Sequence, residues 1–326
     1  VADRATPKTF NFLKATDLTS ATIASYLMQS HLAEFDHDKQ RFVPGLAESW
    51  QAADGGKTIT VKLRDGLKFS DGHPLTADDV IFTLKVASDE KAGSPFRDNF
   101  MVGGQPIKAT KVDDRTVKLE LVRPAAAIES LFSIFGVLPK HKLEDIYNKG
   151  DFAKAWDISV PAAELAVSGP FVLKEYIANQ RTILAKNPNY WKKDAAGKPL
   201  PYLDELVIEA IPDANTALLK FQQGEVDLMD NISAANYATL KQQSSAAYSV
   251  RDYGASMLTD FLWFNQNDRP GADAAKKSWF TDSRFRHAVA MAIDRKAIID
   301  NVLRGLGSQV KAHITRRYAG VFDKPA

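Results

Sequence analysis

The sequence predicts a mixed α/β (α+β) fold with more than one domain. Its 326 residues can hold two ordinary domains. Hydrophobic residues make up 45% of the chain and charged residues 25%, which is the balance of a globular protein. Short alternating segments typical of strands are interspersed with segments of helical periodicity, without regular βαβ spacing. This combination favours a mixed fold over a barrel or a helical bundle.

The first regular element expected is a helix over residues 20–32, where apolar side chains recur at helical spacing. The loop before it, residues 14–17, contains Thr16 and Asp17. A turn at residues 36–39, Asp-His-Asp-Lys, is expected to close this unit.

A β-hairpin is expected next. Residues 54–57, Asp-Gly-Gly-Lys, have the composition of a turn. Residues 58–64 then alternate, which places Ile59, Val61 and Leu63 on one face of a strand.

A helix is expected to begin at Thr76. Its hydroxyl can cap the helix, and Asp79 stands three residues further on, as in a capping box. Val80, Ile81 and Leu84 supply the buried stripe.

One more strand completes this region. After a turn at residues 113–114, Val117, Leu119 and Leu121 alternate toward the interior. Residues from about 40 to 160 are therefore expected to form a compact α+β unit.

The pattern changes after residue 161. The elements expected in order are paired strands over 170–176 and 180–186, a strand over 206–211, a helix over 214–223 ended by Gly224, a short strand over 226–229 and a helix over about 233–243. Further helices are expected from Asp282 or Ser283 and from Asp294, the second ending at Gly305. The last twenty residues show little regular pattern.

Composition excludes several classes of protein. Forty-two basic and forty acidic residues leave a net charge of +2, without the basic excess of a nucleic-acid binder. The chain has no cysteine, so disulfides and thiolate metal sites are excluded. The apolar segments are too short to span a membrane. No signal peptide is present, so an export signal is expected upstream of Val1.

The sequence shows no motif of catalysis, metal binding or nucleotide binding. None of the six histidines forms an HxH or HExxH pattern, and neither GxGxxG nor GxSxG occurs. Gly56-Lys57-Thr58 resembles the end of a phosphate loop, but a strand follows it where a helix is required. No cofactor, metal site or catalytic residue is therefore expected, and a hydrolase that uses two carboxylates remains the alternative.

An aromatic segment, Asp260-Phe-Leu-Trp-Phe-Asn265, stands where one domain is expected to give way to the next. Ligand pockets favour such junctions. Trp263 either lines a pocket there or packs in the interior.

A long ordered block of residues resembles a known family. It comprises Leu-Ala-Glu-Ser-Trp at 46–50, the strand over 58–63, Arg-Asp-Gly-Leu-Lys-Phe-Ser-Asp-Gly at 64–72 and Thr-Ala-Asp-Asp-Val at 76–80. The block is similar to the signature of the bacterial family 5 extracellular solute-binding proteins, the oligopeptide-, dipeptide- and nickel-binding group. Matching segments follow in order: Ser-Gly-Pro-Phe at 168–171, Asn-Pro-Asn-Tyr-Trp at 187–191, Leu-Pro-Tyr-Leu-Asp at 200–204, Gly-Glu-Val-Asp at 224–227, Phe-Arg-His-Ala at 285–288 and Ala-Ile-Asp-Arg at 292–295.

The resemblance implies a two-lobed, type II-like periplasmic binding protein that closes on its ligand by a hinge. Residues 1–36 and 166–258 would form the main subdomain of the first lobe, and residues 37–165 its extra α+β subdomain. Residues 259–326 would begin the second lobe. Because family members are considerably longer, most of that lobe is expected to be missing.

The resemblance also implies non-catalytic capture of a small peptide or other small polar solute and delivery to an ABC permease in the membrane. The protein would be a monomer in the periplasm or outside the cell, with a removed lipoprotein signal as a candidate anchor. Thr16, Asp17, Asp260 and Trp263 are the ligand-binding candidates, placed by this architecture. A metal chelate, haem or oligosaccharide cargo and a sensory role remain open.

Overall fold

A computed structural model describes residues 1–125, 128–230, 232–243, 247–252, 254, 260–267 and 273–309. The chain divides into two units, unit 1 at Val1–Asp213 and unit 2 at Ala214–Ala326. Strands dominate unit 1, and helices dominate the described part of unit 2. The predicted mixed α/β class is confirmed.

The strands of unit 1 form two four-stranded sheets and two hairpins. In chain order they are β1 (Ala2–Asp3), β2 (Ala33–Asp36), β3 (Arg41–Pro44), β4 (Ala47–Ala53), β5 (Thr58–Leu63), β6 (Met101–Val102), β7 (Gln105–Pro106), β8 (Lys108–Asp113), β9 (Thr116–Glu120), β10 (Phe171–Ile177), β11 (Arg181–Lys186) and β12 (Glu205–Ala210). The main sheet has the order β1-β12-β11-β10, and the second sheet has the order β4-β5-β9-β8. Only the β1–β12 pairing in these sheets is parallel.

The second sheet shows why alternation predicted its strands. Ile59 and Val61 lie opposite Leu119 and Val117 across the β5–β9 pair. All four side chains are buried, because period-two alternation places them on one face. The hairpin expected from the turn at residues 54–57 is confirmed, with β4 as the partner of β5.

The helices of unit 1 lie between the strands. They are α1 (Leu18–Ser20), which continues as a π-helix over Ala21–Leu27, α2 (Ala77–Ser88), α3 (Ile128–Phe132) and α4 (Lys140–Asn148). Short 3₁₀ turns occur at Phe12–Lys14, Asp54–Gly56, Glu90–Ala92, Arg97–Phe100, Phe152–Lys154 and Ala162–Glu164.

The start of α2 is the predicted capping box. Asp79 accepts a hydrogen bond from the backbone N–H of Thr76 at 2.8 Å, and the reciprocal bond from Asp79 to the Thr76 hydroxyl is present. Asp79 also accepts from the backbone N–H of Lys140 at 2.9 Å, so one buried carboxylate joins the starts of α2 and α4. Val80 and Leu84 are buried as predicted, whereas Ile81 is only half-buried.

The helix predicted over residues 20–32 is present, but both of its predicted ends are wrong. It begins at Leu18, because Asp17 caps it, and it ends at Leu27. Beyond that point Met28 accepts a hydrogen bond from the N–H of Gly169 at 2.9 Å. Ser30 donates to the carbonyl of Ser168 at 2.8 Å. Contacts with a distant segment therefore replace the hydrogen bonds that would continue the helix.

The described part of unit 2 is helical. Its helices are α5 (Ala214–Gln222), α6 (Ala234–Gln243), α7 (Ala274–Thr281), α8 (Ser283–Ala292) and α9 (Arg295–Ala297), which continues as a π-helix over Ile298–Val302. Asp282 and Asp294 cap α8 and α9 as predicted. The short strand predicted over residues 226–229 is not among the strands of the described residues. Helix α7 was not predicted from the sequence. Residues 310–326, most of the segment without a regular sequence pattern, lie outside the described residues.

The core lies in unit 1 and is rich in phenylalanine. Six phenylalanines are less than 2% exposed: Phe10, Phe69, Phe100, Phe132, Phe135 and Phe152. Burial of one such side chain contributes about 1.5–3 kcal/mol relative to its exposure. No helix among the described residues has the length and apolar character needed to cross a bilayer.

Candidate functional site

The predicted ligand residues Thr16 and Asp17 lie directly before α1. Asp17 is its N-cap residue and accepts hydrogen bonds from the backbone N–H of Ser20 at 2.9 Å and from its hydroxyl at 2.7 Å. The Ser20 hydroxyl oxygen in turn accepts from the backbone N–H of Lys8 at 2.8 Å. Thr16 is exposed and Asp17 half-buried. The carboxylate is thus fixed at the positive end of the helix while part of it still faces solvent.

The same helix carries exposed apolar side chains. Leu18 is 69% exposed and Tyr26 is 62% exposed. The Tyr26 ring lies 5.8 Å from the ring of His31, measured between centroids. Burial lowers the pKa of His31 to about 4, so its imidazole is neutral at pH 7. This segment therefore offers a hydroxyl, a carboxylate and apolar groups to a ligand.

The backbone that follows α1 is held in place by two other segments. Leu32 donates its N–H to the carbonyl of Phe135 at 3.2 Å, and His31 forms a bridge with Gly136. A Cβ atom at Gly169 would lie 2.4 Å from the carbonyl carbon of Met28, so only glycine fits there. These contacts keep the region around His31 in one arrangement.

The other two predicted residues, Asp260 and Trp263, lie in unit 2. Both are exposed, Trp263 by 82%. Its ring contacts that of Phe261 edge-on, with 6.0 Å between the centroids. Phe264, in contrast, packs against Phe280 and Phe285. Among the described residues, the half-buried Phe264 is thus the aromatic of this segment that packs against other rings of unit 2, whereas Trp263 is exposed.

Two of these candidates thus belong to unit 1 and two to unit 2. The sequence did not single out Tyr26 or His31 as ligand residues. The Asp17-x-x-Ser20 spacing is typical of a helix cap, although the apolar periodicity predicted a helix that starts at residue 20.

Unit 1 contains one acid–histidine pair with a second histidine stacked on it. His141 Nε2 lies 2.8 Å from a carboxylate oxygen of Asp71, and the ring of His73 stacks on His141 with 3.8 Å between centroids. A serine, threonine or cysteine nucleophile activated by histidine requires its hydroxyl or thiol to be bonded to the ring. Over the described residues, no hydroxyl is bonded to either ring, and no group of three metal-ligating side chains is present.

The sequence of this chain is similar to those of known proteins. Residues 41–325 match the family described as bacterial extracellular solute-binding proteins, family 5 middle. A probable ABC transporter-binding protein of Deinococcus radiodurans is 34% identical over 301 residues, which cover 88% of this chain and 50% of that protein. The oligopeptide-binding protein AppA of Bacillus subtilis is 30% identical over 311 residues, or 92% of this chain and 50% of AppA.

A solved structure agrees with these sequence matches. The structure of Bacillus subtilis AppA in complex with a nonapeptide has a TM-score of 0.75 and 27% identity to this chain, covering 96% of this chain and 57% of AppA. The chain therefore spans about half the length of the relatives that it matches.

Proposed function

Because the chain belongs to the bacterial extracellular solute-binding proteins of family 5, we propose that it is part of the substrate-binding component of an ABC importer. The observation that carries the proposal is the match of residues 41–325 to this family. The protein captures its solute outside the cytoplasm, as a monomer, and delivers it to a membrane permease without chemical change.

The cargo is a small peptide or a peptide-like polar solute. The likeness to an oligopeptide-binding protein, in both sequence and structure, supports this choice. A peptide presents charged termini, backbone amides and apolar side chains. The segment around α1 offers a carboxylate at Asp17, a hydroxyl at Thr16 and exposed apolar groups at Leu18 and Tyr26, which match those three features.

Capture proceeds by closure of two lobes on the solute. Closure requires that the solute bind the closed arrangement more tightly than the open one. Residues 1–36 and 166–258 form the main subdomain of the first lobe, residues 37–165 form its extra subdomain, and residues 259–326 begin the second lobe. The sheets support the first division, because the main sheet uses residues 2–3 and 171–210, whereas the second sheet uses only residues 47–120.

Four side chains contact the solute in this proposal. Asp17 receives the ammonium group of the solute, because its carboxylate has acceptor capacity beyond its two bonds to Ser20. Thr16 donates or accepts a hydrogen bond beside it. Asp260 and Trp263 contact the solute from unit 2, where the exposed indole offers a flat apolar surface.

Native mass spectrometry of the gently purified whole gene product tests the proposal. We expect a non-covalent adduct with the mass of a di- to pentapeptide, released unchanged on denaturation. An adduct with the mass of a sugar, a metal chelate or haem would overturn the peptide cargo but not the capture role. Release of a cleaved product would contradict the non-catalytic role.

A further inference from the structure

A concavity of about 770 Å³ lies within unit 1 and contains none of the four ligand-binding candidates. We call it the Arg64 pocket. Its wall is formed by the β2–β3 hairpin, the start of β4, the chain just after β5 and the segment at residues 191–193. Its volume is within the range of small-molecule sites.

The guanidinium of Arg64 is held in a fixed position in this pocket. Its carbon Cζ lies 4.7 Å from the centroid of the Trp191 ring. Nε donates to the carbonyl of Gly45 at 2.6 Å, and one Nη donates to the carbonyl of Pro44 at 3.3 Å. A guanidinium has five N–H donors. Three donors therefore remain for a ligand, on a group that is already oriented by stacking and two hydrogen bonds.

The charges of the pocket wall leave Arg64 without an anionic partner. Each carboxylate of the wall has its own cation: Glu34 pairs with Lys192, Asp36 with Lys39, Glu48 with Lys62 and Asp65 with Arg115. Among the described residues, no carboxylate oxygen lies within 4.0 Å of a guanidinium nitrogen of Arg64. Because each wall carboxylate is paired with another cation, the remaining N–H donors of Arg64 are available to an anion.

The rest of the wall offers apolar contact. Phe35 is 38% exposed and packs edge-on against Phe42, with 5.1 Å between ring centroids. Val43 and Leu67 also line the pocket. Trp191 is held by a hydrogen bond from its indole N–H to the hydroxyl of Ser30 at 3.1 Å. The pocket therefore combines one oriented cation with rigid apolar surfaces.

We propose that the Arg64 pocket is a second binding site of this protein, which takes a small free organic acid by its carboxylate. The carboxylate meets the free donors of Arg64 as a two-pronged pair, and the apolar body of the acid contacts Phe35 and Val43. An organic carboxylate fits better than inorganic phosphate, because phosphate has no apolar body to contact Phe35 and Val43. The site is concave, which favours a small acid over a protein surface.

Nuclear magnetic resonance of the indole N–H groups tests this site in the whole chain. The chain has five tryptophans, and Trp191→Phe identifies the signal of Trp191. Benzoate, titrated to about 20 mM, is expected to shift that signal with a saturable dependence, at millimolar affinity for so small a ligand. Benzamide, which has the same shape without the charge, is expected to bind at least about tenfold more weakly.

Three variants test whether benzoate binds at Arg64. Arg64→Lys retains the positive charge but loses the planar pair of N–H donors. It is expected to weaken benzoate binding about fivefold or more. Lys193→Gln changes an exposed residue of the wall and is expected to weaken it less. Arg181→Gln removes an arginine of β11 that is bound to Glu175 at 2.8 Å, and serves as the control with unchanged binding.

Several results would overturn the site. These are the absence of a shift at Trp191 with 20 mM benzoate, an equal shift with benzamide, or a shift that Arg64→Lys leaves unchanged. Inorganic phosphate that binds as tightly as benzoate would contradict the carboxylate assignment. Because the benzamide comparison uses the unaltered chain, that comparison does not depend on the folding of Arg64→Lys.

Discussion

The carboxylate of Asp17 and the side chain of Ser20 are joined in a closed cap at the start of α1. Asp17 accepts from both the backbone N–H and the hydroxyl of Ser20. The residue proposed to receive the ammonium group of the solute therefore also fixes the helix that follows it. Its two roles can be separated, because capping needs an oxygen acceptor whereas ammonium binding gains from a full negative charge.

Asp17→Asn and Asp17→Ala are expected to behave differently. Asparagine caps a helix as well as aspartate, so Asp17→Asn should leave the free energy of unfolding nearly unchanged, while Asp17→Ala should lower it by about 1 kcal/mol. Both variants should bind a peptide about tenfold more weakly, because the charge is lost. Urea unfolding and calorimetric titration of the whole protein measure the two effects. Full affinity in Asp17→Asn would remove Asp17 from the site.

Trp263→Ala is expected to change binding without changing stability. The indole is 82% exposed, so its removal leaves little cavity in the described part of unit 2. Loss of an aromatic contact should weaken peptide binding by about tenfold in the whole protein. Met291→Ala, which removes another largely exposed apolar side chain of unit 2, serves as the control. A Trp263→Ala protein with wild-type affinity would exclude the proposed contact.

Asp79→Ala is expected to destabilise unit 1 strongly. The side chain is 3% exposed and accepts from the backbone N–H groups of both Thr76 and Lys140, which would be left without partners. Its loss should lower the free energy of unfolding by about 2–4 kcal/mol. Asp78→Asn is the matched control, because the adjacent Asp78 forms only a surface pair with Lys111 and should change stability little. Chemical denaturation of both variants measures the difference.

The stability of the protein is expected to fall between pH 6.5 and pH 4 because of His31. Burial lowers the pKa of His31 to about 4 in the folded state, against 6.5 for the free side chain. Between these values the unfolded chain binds more protons than the folded chain, so the free energy of unfolding decreases as the pH falls. The contribution present above pH 6.5 is at most about 3 kcal/mol, and it is lost by about pH 4.

Denaturation midpoints at pH 7 and pH 4.5 measure this loss. His31→Phe should lose less stability than the wild type over that interval, because it has no group that titrates there. His37→Phe, at an exposed position, is the control. Equal losses in His31→Phe and the wild type would contradict the assignment.

Local signals made much of unit 1 predictable. Two examples are the alternation of Ile59, Val61 and Leu63 and the Thr76–Asp79 spacing. Each pattern involves residues that are close in sequence, so it predicts the local structure without any knowledge of tertiary contacts. The end of α1 could not be predicted in this way, because Ser168 and Gly169 take over its hydrogen bonds from a distance of about 140 residues. Tertiary contact overrides the helical periodicity there.

The residues of the sites could be predicted from the sequence less well than the fold. Sequence placed Thr16, Asp17, Asp260 and Trp263 by the expected architecture alone. It gave no sign that Arg64 and Trp191, which belong to separate matching segments, stack on each other. Such a pairing depends on how the second sheet sits against the loop before β12, and no local pattern encodes it. Helix α4 was also not predicted from the sequence. Only one of its residues, Leu143, is buried, so its sequence carries little apolar periodicity.

The order of strands in the two sheets has a consequence for how the chain folds as it is synthesised. The second sheet is complete once residue 120 has emerged, because β4, β5, β8 and β9 are close in sequence. The main sheet needs β1 to pair with β12, where Ala2 lies opposite Glu209 and Asp3 lies opposite Ala210. Pairings of such long sequence separation form slowly. Strand β1 is therefore expected to be among the last strands of unit 1 to pair.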